Sequence, residues 1–350
     1  MIHWFADIGL GHRPQVGGKG GSLGELTRAG NAVPPGFVVA TSAFEQHLAL
    51  LEADAPLRAV VEALDPDDIE AVAASSRALR RRVEQAPLPA AVGSAVIAAY
   101  AQLCGGGTQP AHGVQPLAVR SSATTEDAAD ASFAGLQDTY LWVRGLEDTL
   151  GRIRACWASL YSVDSISYRR RRGFPEAAVA MAVVVQHMVD ARSAGVMFTR
   201  SPVTGDRSVI AIEGAWGLGS AVVGGEVTPD RWVLGKITGE ITVREVSEKL
   251  ISHLPGTAGV ETQPVPEADR RQPCLSDAEL QGLRSIARAV ERHYGCPQDI
   301  EWAVERGSGR IYLLQSRPET VWASKPAAPV ARAAQDPLRH VMNIFGGRRR

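Results

Sequence analysis

The sequence predicts a mixed α/β protein. Short apolar runs that indicate buried strands, such as Val179 to Val189, alternate with longer stretches of helical periodicity. The chain has 350 residues, a length that fits two or three domains or one large two-lobed unit. Hydrophobic residues make up 45% of the chain and charged residues 21%, which is ordinary for a globular protein with a substantial core.

Glycines dominate the first segment, where residues 17–26 read Gly-Gly-Lys-Gly-Gly-Ser-Leu-Gly-Glu-Leu. Helical spacing follows the glycines, and Ser22 is the predicted N-cap of that helix. Lys19 stands where the backbone can approach a ligand closely, and its ammonium suits a phosphate. Gly20 follows the lysine in place of Ser or Thr, so the run is not a Walker A motif. Residues 43–103 then predict several amphipathic helices.

The most informative stretch reads Leu-Ala-Val-Arg-Ser-Ser-Ala-Thr-Thr-Glu-Asp over residues 117–127 and Ser-Phe-Ala-Gly-Leu-Gln-Asp-Thr-Tyr-Leu over 132–141. A short strand leads into Arg120 and a cluster of hydroxyls, and a loop of small residues follows through Gly135. A fixed cation, several hydroxyls and an approachable backbone suit a phosphate chain. The alternative is a strand followed by an ordinary polar turn.

Further elements follow in order along the chain. A helix is predicted from about Leu146 to Arg171, with the arginines 169–172 as its solvated end. Strands then dominate, with a meander after residue 230 and a surface excursion over residues 253–275. Ser276-Asp-Ala-Glu279 has the spacing of a capping box at the start of a clear helix.

Five glycines follow a buried strand over residues 213–230, which read Glu-Gly-Ala-Trp-Gly-Leu-Gly-Ser-Ala-Val-Val-Gly-Gly-Glu-Val-Thr-Pro-Asp. A chain needs that many glycines where its backbone turns tightly or approaches a ligand. Because the strand ends in the carboxylate of Glu213, a ligand role is favoured over a purely structural turn.

The last motif pairs residues 300–304 with residues 310–316 as a hairpin joined by Gly-Ser-Gly. If the two runs are antiparallel strands, Glu301 and Gln315 face the same way, and Arg317 projects from that face two residues later. Two oxygen ligands beside a guanidinium suit a magnesium ion that bridges nucleotide phosphates. For each residue alone, a solvated strand position is the alternative.

These motifs, in this order, resemble the nucleotide-binding domain of the phosphoenolpyruvate synthase and pyruvate phosphate dikinase family. The resemblance spans about residues 9 to 322 and implies an ATP-grasp-like fold, in which two lobes clamp ATP. It implies ATP and Mg²⁺ as ligands. The roles it implies are phosphate binding for Lys19, Arg120 and Arg317, and magnesium binding for Glu301 and Gln315. It also implies that Gln186 and Met188 lie beside the adenine, that Glu213 faces the nucleoside, and that the loop from Ser132 through Gly135 to Gln137 covers the phosphates.

Family members usually carry a phosphorylatable histidine in a Thr-Ser-His-Ala type context, and none of the 8 histidines here has one. The expectation is therefore a half-enzyme that cleaves ATP to AMP and phosphate and passes the β-phosphoryl group to a histidine-bearing partner subunit. The final acceptor, a small molecule bound elsewhere, is first expected to be phenol, as in phenylphosphate synthase. A split phosphoenolpyruvate synthase and a rifampicin-type phosphotransferase are alternatives, and an ATP-binding sensor or scaffold without turnover is another.

Composition indicates which classes of binding partner and which cellular location to expect. Lys and Arg number 37 against 38 Asp and Glu, so no global charge excess predicts nucleic-acid or membrane binding. The cysteines form no Cys-x-x-Cys pair, and the N-terminus lacks a signal-peptide pattern, so a cytoplasmic location is the default expectation. We expect an N-terminal lobe over residues 1–190, a C-terminal lobe over 191–322 and a flexible tail over 323–350.

Overall fold

A computed structural model of the chain describes residues 1–53, 55–105, 115–124, 127–128, 131–132, 138–256 and 259–322, with backbone only at 127–128 and 131–132. Residues 1–319 form one compact unit and residues 320–350 form another. The tail predicted over residues 323–350 lies outside the described residues. Helices and strands alternate through the larger unit, so the predicted mixed α/β class is confirmed.

The first sheet is antiparallel and is built from the N-terminal half of the chain. Its strands are β1 (Ile2–Trp4), β2 (Gly36–Val39), β3 (Leu117–Ala123), β6 (Thr139–Val143) and β7 (Met181–His187). Their spatial order is β1-β2-β7-β3-β6. A short hairpin, β4 (Asp127–Ala128) with β5 (Ala131–Ser132), stands between β3 and β6 in the sequence.

Helices cover both faces of this sheet. They are α1 (Arg13–Arg28), α2 (Thr41–Glu52), α3 (Leu57–Glu62), α4 (Ile69–Gln85), α5 (Ala90–Leu103), α6 (Leu146–Ser159) and α7 (Val163–Arg172). Apolar residues of α2 to α7 pack on one face, with Trp157 fully buried in that core. Val16 and Leu23 of α1 pack with Val184 of β7 on the other face. Arg120 is paired in register with Val184, so it lies on the face that carries α1.

The second sheet is also antiparallel and comes from residues beyond 190. Its strands are β8 (Ala191–Phe198), β9 (Val209–Trp216), β10 (Asp230–Gly235), β11 (Ile241–Glu245), β14 (Gln298–Glu305) and β15 (Ile311–Pro318), in the order β11-β10-β9-β8-β14-β15. The predicted meander and the predicted C-terminal hairpin are both confirmed. The chain passes from the first sheet to the second between β7 and β8. The division into an N-terminal and a C-terminal lobe stays a prediction.

One helix, α9 (Asp277–Tyr294), packs against this sheet. Its residues Leu283 and Val290 share a buried core with Trp232 of β10 and Trp302 of β14. Its N-terminus has the predicted capping box. Ser276 Oγ accepts a hydrogen bond from the Glu279 backbone N–H, and Glu279 accepts one from the Ser276 N–H. A short helix, α8 (Ser220–Val223), follows β9.

The predicted surface excursion over residues 253–275 contains a hairpin, β12 (Ile251–Gly256) with β13 (Gly259–Pro264), and the last four residues of β13 are exposed. The helix predicted from about Leu146 to Arg171 is wrong in one respect. The single helix after residue 146 is broken into α6 and α7, because Ser162 caps a new helix by accepting a hydrogen bond from the Ser165 N–H.

The arginine run at the end of α7 is not a uniformly solvated helix end. Arg169 is fully buried and forms a two-pronged ion pair with Glu176, at 2.9 and 3.1 Å. Its Nη1 donates to the Leu160 carbonyl and the Ser165 hydroxyl, so each of the three guanidinium nitrogens has a hydrogen-bond partner. Only Arg171 and Arg172 keep the predicted exposed setting.

Within the described residues, no single helix is long and apolar enough to cross a membrane. The helices α4 and α5 pass that test only as a pair, by length and composition, and they meet at a bend of 68°.

Candidate nucleotide-binding site

Arg120 joins the two sheets. It lies on β3 of the first sheet, and its guanidinium reaches β14 and β15 of the second. Nη2 is 3.0 Å from Glu301 Oε2 and 2.9 Å from Gln315 Oε1, and Nη1 donates to the Leu314 carbonyl at 2.7 Å. Leu314 falls at the register shift of the β14–β15 pair and has no register partner on β14. The structure thus brings together three of the residues that the sequence assigns to MgATP.

Glu301 and Gln315 are directly opposite each other in the β14–β15 ladder, so the prediction that they share a face is confirmed. The same row continues across the sheet through Val196 to Glu213. Residues paired across strands point to the same side, so Glu213, Glu301 and Gln315 all lie on the face opposite the α9 core. Glu213 is half-buried, two strands away from Glu301.

Arg317 follows Gln315 by two residues and is paired in register with Asp299. Its Nε lies 3.4 Å from Asp299 Oδ2, and about half of its side chain is exposed. Burial raises the pKa of the Asp299 carboxyl, and the Arg317 charge acts against that shift. Arg317 therefore already has a carboxylate partner in Asp299. A phosphate that binds Arg317 would have to share the guanidinium with Asp299 or displace that carboxylate.

α1 consists of two helical segments that meet at a kink at Gly17, and Lys19 lies in the first turn of the second segment. The glycine run is helical except at Gly17, which has φ +70 and breaks the helix just before Lys19. Ser22 is therefore not the predicted N-cap. Its hydroxyl is buried and bonds to the backbone of Ser316 on β15.

The two serine hydroxyls that follow Arg120 form hydrogen bonds within the folded protein. Ser121 Oγ donates to the Asp138 carbonyl at 3.0 Å, and Ser122 Oγ bonds to α1. Both side chains are fully buried, so they are not the open hydroxyl cluster expected for phosphate binding. The backbone of Ser132 lies in β5, and its side chain is not described. Gly135 lies outside the described residues.

The predicted adenine-side residues lie at the end of β7. Gln186 is buried, and its amide donates to the Pro34 carbonyl at 3.1 Å. Met188 packs against a small apolar cluster that includes Ala194 and Ala303. Ala303 is on the same face of β14 as Glu301, so Met188 borders the face that carries the acidic row.

Thr139 is a candidate that sequence reasoning missed. It is the register partner of Arg120 on β6. It also lines a cavity of about 600 Å³ that extends along β6 to Ser220 and His253. Among the predicted site residues whose side chains the structure describes, none lines this cavity, so it begins one strand away from the Arg120 cluster. Pairing between β3 and β6 is the signal that would have found Thr139, but no local pattern in the sequence specifies that register.

Glu301 and Gln315 fit a magnesium ion by their chemistry. Their two side-chain oxygens both lie within hydrogen-bonding distance of one nitrogen, Arg120 Nη2, so they converge on a common point. Mg²⁺ usually takes one or two carboxylates and fills its shell with phosphate and water oxygens. Among the described residues, no group of three or more His, Cys, Asp or Glu could form a metal site.

The family described as "Pyruvate phosphate dikinase, AMP/ATP-binding domain" matches residues 13–337. The fold is accordingly that of an ATP-grasp-like, ATP-binding domain, as the motifs imply. The chain belongs to the pyruvate phosphate dikinase AMP/ATP-binding family.

Three curated relatives are named as phosphoenolpyruvate synthases. The chain is 41% identical to a "Probable phosphoenolpyruvate synthase" of Methanothermobacter thermautotrophicus, over 91% of this chain and 46% of that protein. It is 34% identical to the phosphoenolpyruvate synthase of Pyrococcus furiosus, over 96% of this chain and 46% of that protein. For the phosphoenolpyruvate synthase of Aeropyrum pernix the identity is 37%, over 96% and 44%. The chain thus spans somewhat less than half the length of these relatives.

Proposed function

We propose that the chain is the MgATP-binding module of a dikinase-type phosphotransferase. The observation that carries this proposal is the convergence of Arg120 with Glu301 and Gln315 between the two sheets. A cation and two oxygen ligands meet there, and Lys19 and Arg317 stand on the adjoining elements α1 and β15. Membership of an AMP/ATP-binding family supports ATP as the ligand.

Phosphoryl transfer depends mainly on positioning and on neutralising the charge of the phosphate oxygens. In this proposal, Lys19, Arg120 and Arg317 bind the phosphates. Glu301 and Gln315 would hold Mg²⁺, which supplies further positive charge to those oxygens when it is bound. AMP leaves, a histidine of a partner domain or subunit receives the β-phosphoryl group, and water receives the γ-phosphoryl group as phosphate.

Pyruvate is the acceptor that the relatives favour, since they are named phosphoenolpyruvate synthases. Phenol and an antibiotic, the acceptors of the other expected assemblies, have no support from these relatives and stay predictions. The histidine-bearing partner and the cytoplasmic location also stay predictions.

A labelled-ATP experiment tests the proposal. The full chain is incubated with Mg²⁺ and ATP labelled at the β-phosphate, alone and with the part of the Pyrococcus furiosus relative that lies beyond its matched region. We expect AMP and an acid-labile phosphoprotein only in the mixture, and loss of both with Lys19→Ala. ATP binding without AMP formation would favour a sensor or scaffold. If the chain bound no ATP at all, the nucleotide-binding role would be wrong.

A further inference from the structure

Two buried serine hydroxyls attach α1 to the sheets, Ser122 to the first sheet and Ser22 to the second. Ser122 on β3 donates to the Val16 carbonyl at 2.8 Å and accepts from the Gly20 N–H at 3.1 Å. Ser22 on α1 donates to the Ser316 carbonyl of β15 at 2.6 Å and accepts from the Ser316 N–H at 3.1 Å. Each hydroxyl thus satisfies one backbone donor and one backbone acceptor.

The Ser122 contact explains the break in α1. In an unbroken helix the Gly20 N–H would bond to the Val16 carbonyl four residues earlier. The Ser122 hydroxyl bonds to both of these groups, and a side chain inserted at such a step bends a helix. Gly17, at φ +70, supplies the backbone conformation that the bend requires. A Cβ at Gly17 would overlap the Ser122 carbonyl oxygen, so the glycine also permits the close approach.

The two attachments lie on either side of the candidate phosphate ligand. Lys19 falls between Val16 and Gly20, the two residues bonded to Ser122, and three residues before Ser22. Ser122 is two residues from Arg120 on the same face of β3. Ser316 stands between Gln315 and Arg317. Each residue in these contacts therefore lies within three positions of a residue assigned to MgATP.

We propose that Ser22 and Ser122 are positioning residues for MgATP. They hold the Lys19 segment at a fixed distance from Arg120 on one side and from Gln315 and Arg317 on the other. Neither serine contacts the nucleotide in this scheme. The proposal rests on the proposed function, because it takes Lys19, Arg120 and Arg317 as phosphate ligands.

Calorimetric titration of the full chain with ATP and with AMP, both in the presence of Mg²⁺, tests the proposal. AMP lacks the two outer phosphates, so its affinity reports the nucleoside side of the site. We expect Ser22→Ala to weaken ATP binding about tenfold or more and to change AMP binding less than about twofold, because small misplacements of charged ligands are costly. Ser122→Ala should show the same selective loss.

Ser316→Ala is the matched control. It removes a buried hydroxyl that donates to Gln298 Oε1 at 2.8 Å but leaves the Ser316 backbone, and so both bonds to Ser22, in place. It should keep the wild-type ratio of ATP to AMP affinity even if it lowers thermal stability. Ser22→Thr retains a hydroxyl and should restore ATP binding relative to Ser22→Ala.

Equal losses of ATP and AMP affinity in Ser22→Ala, or a ratio no different from that of Ser316→Ala, would overturn the positioning role. If Ser22→Ala does not fold, Ser122→Ala gives the same comparison from an independent site. Unchanged ATP affinity in both Lys19→Ala and Arg120→Ala would instead show that the proposed function is wrong, whatever the serine variants do.

Discussion

Arg120 Nη2 lies 3.0 Å from Glu301 Oε2, so the proposed phosphate ligand and the proposed magnesium ligand are already ion-paired with each other. The Arg120 side chain is one-tenth exposed and that of Glu301 about one-third. When MgATP binds, phosphate oxygens would take the place of Glu301 as partners of the guanidinium, and the metal would take the place of Arg120 as the cation beside Glu301. This exchange makes the effects of nucleotide and metal interdependent.

Replacing Arg120 should therefore impair both binding and folding. We expect Arg120→Ala to weaken ATP binding at least tenfold and to lower the free energy of unfolding by about 1–3 kcal/mol, because the Leu314 carbonyl and Glu301 lose their partner. Calorimetry and urea denaturation measure the two effects. Arg317→Ala, at a half-exposed position, should weaken ATP binding with little loss of stability. Wild-type ATP affinity in Arg120→Ala would contradict the assignment.

Glu301→Gln should uncouple ATP binding from magnesium. With Mg²⁺ present we expect weaker ATP binding than in the wild type, because a neutral amide holds the cation poorly. With EDTA present we expect equal or stronger binding, because Arg120 no longer has a charged competitor for the phosphates. Glu245→Gln, which alters an exposed ion pair with Arg231, is the control and should match the wild type in both conditions. Equal magnesium dependence in Glu301→Gln and the wild type would exclude this role.

Gly17→Ala should destabilise the protein by more than backbone strain alone. An alanine at positive φ costs about 1–2 kcal/mol. At Gly17 the added Cβ also overlaps the Ser122 carbonyl oxygen. Gly17 also has ψ −179, which puts it in a backbone region essentially restricted to glycine. Gly30 has a similar φ of +78 with nothing within 4 Å of a Cβ, so Gly30→Ala measures the cost of a positive φ without an overlap. Chemical denaturation should show the larger loss for Gly17→Ala, and equal losses would mean that α1 can move away from β3.

Asp230, the last residue of the Val-Thr-Pro-Asp sequence, is structural. It is fully buried and is paired with the equally buried Lys249 at 2.6 Å. Its two oxygens also accept from the backbone N–H groups of Ser247 and Cys274. Lys249→Met should cost about 3–5 kcal/mol in the free energy of unfolding, because it leaves a buried charge uncompensated.

The exposed pair of Arg231 with Glu245 is the comparison for this experiment. Arg231→Met should change the free energy of unfolding by less than about 1 kcal/mol. The double variant Asp230→Asn with Lys249→Met should recover part of the loss of Lys249→Met, since the isolated charge is gone. No recovery would mean that the packing of the lysine chain, and not its charge, dominates.

Stability should fall as the pH drops below about 6.5. Burial lowers the pKa of His47, against a smaller opposite effect of its hydrogen bond to the Val83 carbonyl, and burial also lowers the pKa of His187. The unfolded chain therefore takes up protons in a range where these folded histidines stay neutral, and proton uptake favours the unfolded state. Denaturation at a series of pH values should show this slope, and His47→Gln should reduce it. An unchanged slope would exclude His47 as a contributor.

Much of the local structure could be predicted from the sequence. The hairpin of β14 and β15 could be predicted from the sequence, but the direct pairing of Glu301 with Gln315 depends on a register shift between Glu301 and Trp302, without which Glu301 would pair with Leu314. The Ser276 capping box was equally readable. The role of Ser22 was not. A serine after a glycine run resembles a helix start, whereas its real partner, Ser316, lies 294 positions away.

The sequence by itself determined the class of the fold, the faces of the strands and the order of motifs that marks the family, since each depends on neighbouring residues or on short spacings. Only the tertiary structure decided which side chains meet. Arg120 pairs with Glu301 across 181 positions, Ser22 and Ser122 hold α1 from two sheets, and Arg169 is buried against Glu176. The physical reason is that a polar side chain takes its partner from whatever packing brings within about 3 Å, and packing between sheets has no local signature in the chain.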